Sequence, residues 1–107
     1  MSEQVNHPNH YQSKNGKETI EEMVDIFGIK WTCVWSIITA FKYISRAGKK
    51  QDNPYKQDIA KAKWYLEWVK KNVLRNTNKN SIIVIKNYHE KVTRLLNEKE
   101  SLHDSNE

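Results

Sequence analysis

The sequence predicts an all-α protein, a small bundle of about four helices preceded by an extended N-terminal arm. Three observations carry this. Apolar residues recur at three- and four-residue steps over long stretches, glycine or a polar cluster stops each stretch, and no segment sustains the strict alternation of a half-buried strand. At 107 residues the chain suffices for one domain with one modest core. A mean hydropathy of −0.88 makes the surface large relative to that core, a strain that association between copies would relieve. The boundaries expected are an arm over 1–17, a helical domain over 18–102 and a disordered tail over 103–107.

The arm contains "VNHPNHYQSKNG". Tails are usually built from Ser, Glu, Lys and Gly, so His7, Pro8, His10 and Tyr11 mark this one for a task. The first helix runs from about Glu18 to Phe27, with Ile20, Met23, Val24 and Phe27 in helical register and Gly28 as the stop. The second, from about Lys30 to Ala47, is apolar almost all round (Trp31, Val34, Trp35, Ile37, Ile38, Phe41, Ile44), which places it at the centre of a bundle. Gly48 ends it and "KKQDNP" forms a loop, with Pro54 suited to a first helical position. The third helix, from about Pro54 to Leu74, buries Ile59, Ala62, Tyr65, Leu66, Val69 and Val73. "SIIVI" has the β-branched composition of a strand. Even so, Ile82, Ile85, Val92, Leu95, Leu96 and Leu102 keep helical spacing for some twenty residues, and length decides for a fourth helix.

Charge is unevenly spread. Residues 1–29 carry two Lys against five acids, residues 30–75 carry eleven Lys and Arg against three acids, and residues 76–107 carry five of each. A basic middle attracts phosphates, on nucleotides or on nucleic acid. No apolar run is long enough to span a membrane and the N-terminus lacks signal-peptide features, so a cytoplasmic location is expected. Cys33 has no partner for an internal disulfide, and its apolar neighbours point to a small buried side chain. Gly16, Gly28 and Gly48 are too scattered for a phosphate-cradling loop, and no Ser-centred elbow is present. His7 and His10 lack the further ligands a zinc site needs, and His89 and His103 read as surface residues.

The most informative residue is Lys42, inside "ITAFKYISR". Buried there without a partner, its ammonium would cost several kcal/mol, so it needs an anion. Arg46 lies one turn on and Lys49 extends the row, giving a forked donor and two point charges along one edge. The alternative is that Lys42 and Arg46 reach solvent or pair with Glu18, Glu21 or Asp58. Glu18 and Glu21, one turn apart, have with Asp58 the chemistry Mg²⁺ prefers beside substrate phosphates. Equally, acids suit a helix N-terminus, and Glu22 and Asp25 extend a solvated face. Asp58 and Lys61 can pair within their helix, worth about 0.2–0.5 kcal/mol. Trp64, Tyr65 and Trp68 read as core or interface, whereas Tyr43 is a candidate base or ribose contact.

The order "HPNHY", "ETIE", "KYISRAGKK", "DIAKAKWYL" resembles a small all-helical family of bacteriophages and prophages, long catalogued as a domain of unknown function, whose characterised member is the phage nucleotide kinase. The likeness covers about residues 5–73 and implies that His7, Pro8, His10, Tyr11, Glu18, Glu21, Lys42, Tyr43, Arg46, Asp58 and Lys61 belong to the family signature. It also implies a nucleoside-monophosphate kinase that works without a P-loop and assembles into oligomers. The chain departs from the pattern at Glu21, where Asp is frequent, and at Thr39, where a Gly-Asn pair usually ends.

The expected function is therefore that of a phage-type nucleotide-binding protein in the cytoplasm of a bacterial host, transferring phosphoryl groups between mono- and triphosphates. Lys42, Arg46, Glu21 and Asp58 are the expected catalytic set, with Mg²⁺ as the candidate cofactor. His7, His10, Tyr11, Glu18, Tyr43, Lys49 and Lys61 would hold the nucleotide, with the arm folding over the second helix. Two rivals stand beside it. One is a protein that sequesters nucleotides or nucleotide signals without turnover. The other binds nucleic acid or a host protein through the basic middle.

Overall fold

A computed structural model describes residues 18–49 and 54–105, so the arm with His7, His10 and Tyr11 lies outside the described residues. The described chain is all helical: α1 (Thr19–Phe27), α2 (Ile29–Arg46), α3 (Tyr55–Asn72) and α4 (Lys79–Ser105), with a 3₁₀ turn at Val73–Arg75. No strand occurs among the described residues. None of their helices is long and apolar enough to cross a membrane.

α1 gives way to α2 across a single residue. Gly28 sits at φ +90°, a conformation that side chains rarely adopt, and its N–H still donates to Val24 O, so one helix stops and the next begins without a loop. α2 turns a stripe of small residues inward: Thr32, Cys33, Ser36 and Ala40 are fully covered, together with Ile37 and Ile44. Small side chains let α3 approach closely. The two buried hydroxyls are satisfied within the helix, Thr32 Oγ1 donating to Gly28 O at 2.9 Å and Ser36 Oγ to Thr32 O at 2.8 Å. α3 answers with Ile59, Ala62, Tyr65, Leu66 and Val69, all buried as its periodicity predicts. Each fully buried aliphatic side chain here contributes about 1.5–3 kcal/mol.

α3 ends where Asn72 and Asn76 donate to the carbonyls of Trp68 and Val73, closing the turn into α4. Asn78 Oδ1 accepts from the Ser81 N–H and so starts α4. "SIIVI" is helical, as length decides. Ile85 and Leu96 bury against the other helices, while His89 donates from Nε2 to Leu66 O at 2.8 Å; a carbonyl only accepts, so that nitrogen carries the proton. His103 stacks on Tyr55 with centroids 3.7 Å apart. Neither histidine is the free surface group expected, and the His103 stack carries the helix past the boundary expected at 102.

The larger correction concerns α2. It lies centrally, touching α1, α3 and α4, but it is not enclosed. Trp31, Trp35, Ile38 and Phe41 are 60%, 39%, 54% and 46% exposed. The Cα envelope measures 44 × 34 × 17 Å, and helix axes pack 8–10 Å apart, so the molecule is a slab about two helices thick with one side of α2 facing outward.

Candidate functional site

The close pairing of α2 with α3 brings the last turn of one against the first turns of the other. Arg46 donates from Nε (3.2 Å) and Nη2 (3.1 Å) to the same oxygen, Oδ1, of Asp58. The Asp58 side chain is 1% exposed and that of Arg46 35%, so a buried carboxylate is met by a half-open guanidinium. The second oxygen, Oδ2, has no hydrogen-bond partner among the described residues.

Beside this pair stands Tyr43. Its ring lies under two cations, with Arg46 Cζ 4.7 Å and Lys61 Nζ 5.4 Å from the centroid. Lys61 therefore reaches across to α2 and does not pair with Asp58, three residues back. Behind Tyr43 an aromatic row continues: Tyr65 is parallel to it at 6.2 Å, and Trp35 and Trp64 meet Tyr65 edge-on at 5.5 and 5.1 Å. The result is an aromatic wall with two positive groups and one buried acid at its end. Tyr65 is itself buried, so a planar ring can meet only the partly exposed Tyr43, Trp35 and Trp64, and Arg46 and Lys61 can neutralise an anion attached to it.

Of the expected residues, the structure gathers Tyr43, Arg46, Asp58 and Lys61. The expected row of Lys42, Arg46 and Lys49 does not form. Lys42 is exposed on the outer side of α2 and makes no ion pair among the described residues, so its ammonium stays hydrated and demands no anion. Arg46 turns to Asp58. Lys49 follows the helix end, where Gly48 at φ +81° redirects the chain, and lines a groove of about 620 Å³ with Lys99, Tyr55 and His103. There Lys99 donates to Ser45 O at 3.3 Å, and its pKa is lowered by burial and by the Lys49 charge.

The acids divide likewise. Glu21 accepts from Arg75 Nη1 at 3.0 Å and Nη2 at 3.2 Å, and with Glu18 it borders a second, open groove of about 1170 Å³ along Trp64, Lys71 and His89. Asp58 is held by Arg46. No three His, Cys, Asp or Glu side chains among the described residues come together in a metal-binding arrangement. Cys33 is fully covered, and burial pushes its thiol pKa up to about 11, far from that of a nucleophile.

The sequence left Trp35 and Arg75 without a role. Trp35 looked like core because its helix is apolar on every side, and its edge-on contact with Tyr65 depends on how α2 and α3 cross, which no spacing in the sequence signals. Arg75 stands just before the polar connection "NTNKN", with no motif around it.

A compact array of aromatic rings, cations and one buried acid lies on an all-α slab, and the class that the fold defines is a small helical bundle. The chain belongs to the family described as a protein of unknown function (DUF3310), whose model matches residues 5–67. That span holds Tyr43, Arg46, Asp58 and Lys61, and it stops before α4. No curated protein and no solved structure matches the chain.

Proposed function

We propose that the α2–α3 site binds a nucleotide and that the protein transfers a phosphoryl group between nucleotides in the manner of a phage nucleotide kinase. The single observation behind this is the Tyr43 ring flanked by Arg46 and Lys61 beside the buried Asp58. The base stacks along the aromatic wall and the phosphates meet Arg46 and Lys61, with the exposed Lys42 as an outer charge. Asp58 holds Arg46 in place. In the reaction a monophosphate oxygen attacks the terminal phosphorus of a triphosphate, the bond to the bridging oxygen breaks, and two diphosphates leave. Positioning and charge neutralisation supply most of the catalysis in such transfers.

A second reading is binding without turnover. It draws on the engagement of Glu21 and Asp58 by arginines, which leaves neither acid ready to act as a base. Calorimetry with nucleoside mono- and triphosphates, followed by an assay for diphosphate, tests both. Lys61→Ala should weaken nucleotide binding at least about tenfold, and Lys42→Ala by less, with the helical signal unchanged. The absence of a binding heat with every nucleotide would refute both readings; binding with no diphosphate formed would leave only the second.

A further inference from the structure

The outer side of α4 carries a second pattern. Val84, Tyr88, Lys91, Leu95, Glu98 and Leu102 follow one another at steps of four, three, four, three and four, the spacing of a coiled-coil seam. All six are exposed, the four apolar ones by 43%, 47%, 41% and 68% in chain order. The seam is separate from the buried stripe of Ile85 and Leu96 on the same helix. It continues onto α2, because Leu95 and Leu102 border one groove with the half-exposed Phe41.

We infer that this seam pairs with the same seam of a second copy, the two α4 helices running antiparallel about a two-fold axis near residue 93. The charges select that occupant and that direction. Lys91 and Glu98 interrupt the apolar seam, and neither has an ion-pair partner among the described residues. A parallel pair would set Lys91 against Lys91 and Glu98 against Glu98. The antiparallel pair sets Val84 against Leu102, Tyr88 against Glu98 and Lys91 against Leu95, and brings each Lys91 within about one helical turn, 5.4 Å, of the opposite Glu98.

The two Lys91 also come to about 6 Å of each other along the axis, but this one like-charge contact stands against two opposite-charge ones, whereas the parallel pair has like charges only. The area agrees. Val84, Tyr88, Leu95, Leu102 and the adjoining Phe41 together expose roughly several hundred Å² of apolar side chain, the size of patch that marks an interaction site on a monomer.

Sedimentation velocity on the full chain over a range of concentrations tests this without any nucleotide. The wild type should sediment as a dimer or a larger assembly built from it. Lys91→Glu and Glu98→Lys alone should each raise the dissociation constant at least about tenfold, because each creates two like-charge contacts per dimer. The double variant should return it to within about threefold of wild type. Circular dichroism checks that all variants, substituted only at exposed positions, keep their helices. A wild type that stays monomeric, an assembly indifferent to both reversals, or a double variant as weak as the singles would each overturn the inference.

Discussion

Replacing Arg46 with Ala should destabilise the fold far more than removing the charge of its partner. The two ends of this ion pair sit in different surroundings: the Asp58 side chain is 1% exposed and that of Arg46 35%. Without the guanidinium, Asp58 remains buried with no partner for either oxygen, a change that costs about 3–5 kcal/mol in comparable sites. Lys99 feels the Asp58 charge and offsets part of the loss, which points to the lower end, about 3 kcal/mol. In Asp58→Asn the guanidinium turns to water, and the cost falls to about 1–2 kcal/mol. Against the ~5–15 kcal/mol of an ordinary domain the first change is severe and the second mild. Urea unfolding followed by the helical signal at pH 7 measures both, and the double variant closes the cycle, with a coupling of about 1–3 kcal/mol. Equal costs for the two single variants, or an Arg46→Ala protein within about 1 kcal/mol of wild type, would refute the asymmetry.

Two further outcomes follow from the same structure. The Cys33 thiol, raised from 9.0 to about 11 by burial, keeps its proton longer in the folded state than in the unfolded one. The unfolded chain therefore loses protons first, so this contribution is complete below pH 9 and declines as the pH rises toward 11, by up to about 2–3 kcal/mol. Unfolding of wild type and Cys33→Ala at pH 8 and 10.5 isolates it, and parallel losses in the two proteins would contradict it. Arg75→Ala breaks the bond to Glu21, a half-exposed pair worth about 0.5–1 kcal/mol, and frees α1 from the turn after α3. Hydrogen exchange should quicken in Thr19–Phe27 and leave α3 unchanged; equal protection in both proteins would show that the apolar contacts of Ile20 and Val24 suffice to hold α1.

Helix positions were legible because each rests on local chemistry: Gly28 as a stop, the Ile59 to Val73 stripe, the length of the segment after residue 80. The enclosure of α2 was not, since an apolar helix looks the same whether neighbours surround it or one side waits for a partner. Lys42 carries the same lesson, because its cost depends on which side of α2 is covered, and three-dimensional packing decides that. At the site, Arg46 and Asp58 were named as possible partners from their charges. That Lys61 would reach Tyr43 depends on the crossing of two helices, which spacing along one helix does not encode.

α2 is committed on three sides at once: small residues from Thr32 to Ala40 against α3, Tyr43 and Arg46 at the acid, Trp31 and Ile38 outward. A helix so occupied has little room for neutral drift. In a saturation library scored by folding and assembly, Ile29–Arg46 should tolerate fewer replacements per position than exposed α4 positions outside the seam, such as Lys86, Asn87, Glu90 and Asn97, and tolerance should not recover its usual three-to-four-residue rhythm there.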